Sequence, residues 1–187
     1  MLFGRLIFAA PLLLIPVAFR VRKGMRWYIA VLWVALGSYA LASADRLFFP
    51  LLVDPALRAD NQYLEFSLGH WINFVPLKTI GQLLSMDSST QAVRQIGGNL
   101  GLLFPSGIVL PALVPRLRKV WEFALVALAL SVAIEVVQGV GTVTGVMNRS
   151  TDIDDVILNV LGALVGWGVW KAAAVGVAAY SRTRAGR

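Results

Sequence analysis

The sequence contains no cysteine and a single histidine. Without cysteine there is neither a disulfide nor a thiolate metal site, and one histidine outside any Cys/His cluster leaves no zinc signature. Charge is scarce too. Only 14% of the 187 residues are Asp, Glu, Lys or Arg, against about 25% in soluble domains. Apolar residues take their place: 58% of the chain is hydrophobic and its mean hydropathy is +0.73. Such a surplus has to face lipid, so the length counts membrane spans rather than globular domains. No internal repeat or low-complexity tract interrupts the pattern.

The net charge of +7 and a pI near 10.4 would suit a nucleic-acid binder. Their distribution argues otherwise, because the basic residues cluster between apolar runs, as cytoplasmic loops of membrane proteins do. No nucleic-acid partner is expected.

Five apolar runs are visible: Leu6–Phe19, Trp27–Ala44, Ile96–Val114, Val120–Val140 and Val156–Trp170. A helix crossing the hydrocarbon core needs about 20 residues. The middle three runs meet that length. The first and fifth need interfacial flanks, and Lys171 can snorkel at the end of the fifth. The first run does not read as a signal peptide, since its basic cluster "RVRKGMR" (Arg20–Arg26) follows the apolar stretch instead of preceding it.

The expectation is therefore an all-α polytopic transmembrane bundle of about five spans. Residues 1–26 would form an extra N-terminal transmembrane helix with a basic cytoplasmic loop, 27–171 the membrane domain, and 172–187 a basic cytoplasmic tail. "RVRKGMR", "PRLRK" (Pro115–Lys119) and "SRTRAGR" (Ser181–Arg187) would share one side of a five-span chain. The positive-inside rule makes that side cytoplasmic, with the N-terminus out and the C-terminus in. The long outer connection includes the aromatic, Gly- and Pro-broken stretch Phe66–Met86. It reads as interfacial or re-entrant structure, with His70, Trp71 and Asn73 on the outer face.

Once oriented, the polar residues of the spans gather at the outer end. Arg94, Gln95 and Asn99 lie at the start of the third span, and Asp152, Asp154, Asp155 and Asn159 at the entrance of the fifth. Glu135 sits ~6 Å below the outer end of the fourth span at 1.5 Å per residue. Ser131, Glu135 and Gln138 form one helical stripe, and Asp152, Asp155, Asn159, Gly162 and Gly166 form another. Each has an ordinary structural reading. Aspartates favour helix N-termini and "TDID" resembles a capping box. Asparagines can bond across helices, and Gly162-x-x-x-Gly166 is a packing motif. Glu135 resists such a reading, because an unpaired carboxylate in a span costs about 2.5 kcal/mol or more.

These elements resemble the VanZ-like family of membrane proteins, of the teicoplanin-resistance accessory type. The resemblance rests on "NFVPLKTI" (Asn73–Ile80) and "NLGLLFPSGIVLP" (Asn99–Pro111). It continues through Ser131, Glu135 and Gln138, then Arg149, Asp152, Asp155, Asn159 and Gly162. It covers roughly Leu51 to Trp170. Phe104 and Pro105 are adjacent here, where the family pattern places one residue between them.

The resemblance implies a multi-pass protein of the bacterial cell membrane associated with reduced susceptibility to lipid-tailed glycopeptides. No cofactor or metal comes with it. The polar residues suit a binding pocket for a membrane lipid or amphiphilic small molecule, lined by Asn73, Asn99, Glu135, Gln138, Arg149, Asp152, Asp155 and Asn159. Gly162 and Gly166 would serve helix packing. In the competing reading, an enzyme acting on a lipid headgroup, Glu135 and Asp155 would divide acid and base roles. A transporter ranks last, since no polar stripe continues into the inner half.

Overall fold

The computed structural model describes residues 6–56, 72–85 and 89–185. The chain begins with a 3₁₀ segment, Leu6–Leu13, that runs into α1, Leu14–Arg22. Helix α2 (Trp27–Phe48), strand β1 (Ile72–Asn73), helix α3 (Lys78–Ser85) and helix α4 (Ser89–Leu113) follow. A 3₁₀ turn, Pro115–Arg118, leads to α5 (Val120–Val143), β2 (Thr151–Asp152) and α6 (Ile153–Ala185). The protein is a helical membrane bundle.

Among the described residues, four helices are long and apolar enough to cross a membrane: α2, α4 from Thr90, α5 and α6. The first apolar run is helical but shorter, with 8 residues in the 3₁₀ segment and 9 in α1. It turns back along α2 through residues 23–26, where Gly24 takes a positive φ of 97° that side chains disfavour. Of the outer stretch expected to be interfacial or re-entrant, residues 66–71, with His70 and Trp71, lie outside the described residues. So does Met86. The described remainder forms β1 and α3.

The fifth apolar run lies within a longer helix. Helix α6 starts at Ile153 and spans 33 residues, so the stretch expected as a tail continues the helix to Ala185. Its alanine-rich sequence "KAAAVGVAA" explains the extension, because alanine is the best helix former. Every residue from Lys171 to Ala185 is exposed, so the bundle is built by the first half of α6.

That half packs against α4. A Cβ on Gly162 would collide with the Leu100 carbonyl, one on Gly166 with the Phe104 carbonyl, and one on Gly107 with Ala163. Small residues on both helices thus bring two parallel backbones into direct contact, which is how helices associate where lipid supplies no hydrophobic drive. Leu103, Phe123, Ala127 and Ala163 form the core beside this seam. Valines and leucines of α5, among them Leu125, Val132 and Val136, are exposed, as expected of a surface turned to acyl chains.

Helix α4 carries Pro105 and Pro111 within it. Proline has no N–H, so Pro105 deprives the Gly101 carbonyl of its helical partner. The Tyr39 hydroxyl donates to that carbonyl at 2.8 Å, replacing the missing bond from α2. At the end of the molecule holding Lys23, Arg116 and Arg182, the buried Glu122 pairs with Arg116 at 2.5 Å and Lys119 at 3.4 Å. This is the basic end. The opposite end carries the polar groups of interest.

Candidate functional site

Strands β1 and β2 form a two-residue parallel bridge, with Ile72 beside Thr151 and Asn73 beside Asp152. The bridge ties the connection after α2 to the start of α6. Asn73 lies at its centre. Its Nδ2 donates to Asp152 at 2.9 Å and to the Thr79 hydroxyl at 3.2 Å, while its Oδ1 accepts the Val75 amide at 3.1 Å.

Asp152 is only 4% exposed and is saturated with donors. Thr79 donates its hydroxyl to one oxygen at 2.5 Å. The other oxygen also accepts the amide of Asp154 at 2.9 Å, so Asp152 itself closes the first turn of α6. Its own amide donates to the Glu135 carboxylate at 3.0 Å. Glu135, 5% exposed, therefore has a backbone amide as its partner.

Asp154 is fully buried, and its two oxygens accept the amides of Leu77 at 2.5 Å and Ile80 at 3.0 Å. These amides belong to the start of α3, which thus receives its cap from a residue of α6. Asp155 faces the other way and accepts a hydrogen bond from the Asn99 amide of α4. One turn deeper, Asn159 donates to the Ser131 hydroxyl of α5 at 3.0 Å. Among the described residues, its Oδ1 is the buried side-chain atom left without a hydrogen-bond partner.

The rest of the predicted set lies toward α2. Gln138 donates to the Leu47 carbonyl at 3.2 Å. Arg149 donates through Nη2 to the carbonyls of Arg46 at 2.6 Å and Phe49 at 3.3 Å, holding the end of α2. Thr142 fixes the Arg149 backbone, donating to its carbonyl at 2.6 Å and accepting its amide at 3.1 Å.

Five of the eight predicted residues fall into two groups, while Gln138, Asp155 and Asn159 bond singly to Leu47, Asn99 and Ser131. Asn73, Glu135 and Asp152 form a network with Thr79 and backbone amides. Asn99 and Arg149 line a separate chamber of about 640 Å³ with Arg46, Arg94, Tyr39, Gly97, Gly98 and Gly101. Below it an apolar groove of about 300 Å³ runs between α2, α4 and α5, past Leu36, Leu103, Leu110 and Ile134. Chamber and groove share Tyr39, Ser43, Leu47 and Leu102. Among the described residues, no group of three or more acidic or histidine side chains is placed to hold a metal ion.

Sequence reasoning missed Thr79, Thr142, Tyr39 and Arg46. Thr79 and Tyr39 act through long-range bonds to carboxylate or backbone and Thr142 through bonds to backbone seven residues on, which leave no periodic signal. Arg46 did leave a signal: it stands at the end of a span that the distribution of basic residues assigns to the outside.

No curated protein and no solved structure gives a significant match to the chain. The family model described as VanZ/LLP1 matches residues 36–175, a stretch that runs from the middle of α2 to just past Lys171. It contains every residue of the network and of the arginine-lined chamber, and it leaves out the first apolar run. The chain belongs to the VanZ/LLP1 family.

Proposed function

We propose that this protein is a multi-pass protein of the cell membrane, with the polar end outward, that engages the headgroup of an amphiphile at the outer leaflet. One observation carries the reading: the polar chamber opens directly above an apolar groove, and four residues line both. That order, polar at the bundle end and apolar toward its middle, matches a headgroup at the interface with its tail along the helices. The carboxylate network would act as scaffold, holding β1, α3 and the start of α6 so that Asn99 and Arg149 face the chamber.

Family membership extends the proposal to a role in envelope maintenance, or in reduced susceptibility to glycopeptides that carry a lipid tail. A susceptibility assay tests it. A host lacking such a protein would express wild type or Asn99→Leu at matched membrane levels. It would then be challenged with a glycopeptide with and without its tail. The expected outcome is protection against the tailed drug alone, reduced in the variant. Equal protection against both drugs would count against an amphiphile site, and no protection by wild type would remove the resistance role.

A further inference from the structure

Resting on the amphiphile reading, we infer that the chamber between α2 and α4 is a phosphate site. It would take the headgroup of a phosphate-bearing lipid between Arg46, Arg94 and Arg149, with the acyl chain in the groove below.

Charge is the first support. Three arginines line one chamber, and among the described residues the only ion pairs are those of Glu122 at the basic end. Among the described residues no carboxylate forms an ion pair with them. Asp152, Asp154 and Glu135 accept bonds from Thr79, Asn73 and backbone amides, and Asp155 accepts from Asn99. Arg149 spends Nη2 on two carbonyls, which orients its guanidinium. The Arg94 side chain makes no hydrogen bond or ion pair among the described residues. Guanidinium groups without an ion-pair partner among the described residues, gathered in one concavity, form a site for a phosphate oxyanion, whose oxygens match their fork of donors.

The glycines are the second support. Gly97, Gly98 and Gly101 line the chamber, and a Cβ added at any of them would meet nothing within 4 Å. Each glycine inside a helix costs about 1 kcal/mol relative to alanine. At Gly107, Gly162 and Gly166 close helix packing offsets that cost. At the chamber no contact among the described residues does, so these glycines keep space open and leave the backbone of α4 approachable.

Third, the arginines run against the charge bias that otherwise orients the chain. Basic residues are favoured on the cytoplasmic side, yet Arg46, Arg94 and Arg149 all lie at the opposite end from Lys23, Arg116 and Arg182. A lipid phosphate at that depth supplies a reason to keep them. The groove narrows the source further, since a free phosphate ion has no use for the apolar wall of Leu36, Leu103 and Ile134.

The experiment measures binding to the full-length protein in uncharged detergent micelles. The probes are phosphatidic acid, diacylglycerol with the same chains, and inorganic phosphate. Phosphatidic acid should bind about ten-fold or more tightly than diacylglycerol, and Arg94→Gln should erase the difference while Arg94→Lys retains part of it. Arg94→Gln should unfold at the wild-type temperature without ligand, because its side chain holds no other element. Arg149→Gln gives a second arm, with its folding checked in the same way.

Equal binding of the two lipids, or a preference indifferent to Arg94 and Arg149, would overturn the phosphate assignment and leave an amphiphile site standing. Inorganic phosphate displacing phosphatidic acid at similar concentration would overturn the lipid half. Binding of neither lipid would overturn the inference together with the amphiphile reading.

Discussion

The carboxylate of Asp154 accepts the amide hydrogen of Ile80 at 3.0 Å, so a residue of one membrane helix caps a second helix that precedes it by 74 positions. Its other oxygen takes the amide of Leu77, a residue held at a positive φ of 65°. Asn in place of Asp keeps the shape but turns one acceptor into a donor facing a donor. Asp154→Asn should therefore destabilise the protein by about 1.5–3 kcal/mol, the range for hydrogen bonds to charged groups. Amide exchange in Lys78–Ser85 should rise with it. Lost stability without faster exchange in that peptide would mean that Asp154 does something other than cap α3.

The seam between α4 and α6 gives a second test. At Gly162 an added methyl meets the backbone of Leu100, which cannot move aside as a side chain can. Gly162→Ala should cost about 3 kcal/mol, the upper part of the overpacking range. Gly168 lies on the same helix with nothing within 4 Å, and Gly168→Ala should be neutral or stabilise by up to about 1 kcal/mol. Thermal unfolding in one detergent measures both. If the two variants behave alike, the seam is not close-packed.

Ser131 and Asn159 form a buried pair, and pairs respond unevenly to deletion. Ser131→Ala leaves the Asn159 amide without its acceptor and should cost about 1–2 kcal/mol. Combining it with Asn159→Leu removes both polar groups and should restore most of that stability. A double-mutant cycle decides. Strictly additive costs would show that the hydrogen bond contributes nothing to the coupling.

Because the chain has no cysteine, a single introduced thiol reports its own location. Asn148 lies in the exposed connection between α5 and β2, and Ser181 near the exposed end of α6. With the polar end outward, Asn148→Cys should react with an impermeant maleimide in intact cells, and Ser181→Cys only after permeabilisation. The reverse pattern would invert the orientation and place the chamber at the inner leaflet.

Much of the architecture was legible in the sequence because membranes impose one rule, an apolar run of sufficient length. The helical stripe through Asp155, Asn159, Gly162 and Gly166 was legible for a similar reason, since a period of 3.6 residues fixes which side chains share a face. Their partners were not. Nothing local says that Gly162 meets Leu100 rather than α5, or that Asp154 caps a helix in another part of the chain. Thr79 and Tyr39 were overlooked on the same ground, as a hydroxyl in an apolar or loop context carries no periodicity. The continuation of α6 past Lys171 to Ala185 was not legible from hydropathy, because it rests on the helix propensity of the alanines there.

The length of α6 has a consequence for membranes of different thickness. Its 33 residues extend ~50 Å at 1.5 Å per residue, against a hydrocarbon core of about 30 Å. Tilting alone would need an angle of roughly 50°, beyond the 0–40° that such helices adopt. The first turn cannot slide, because Asp154 and Asp155 are bonded to Leu77, Ile80 and Asn99. All of the surplus must then emerge at the other end, where residues 171–185 are exposed. A thicker bilayer would swallow more of that rod, and a thinner one would release it. The chamber would keep the same depth below the headgroups at its own end of the bundle in either case.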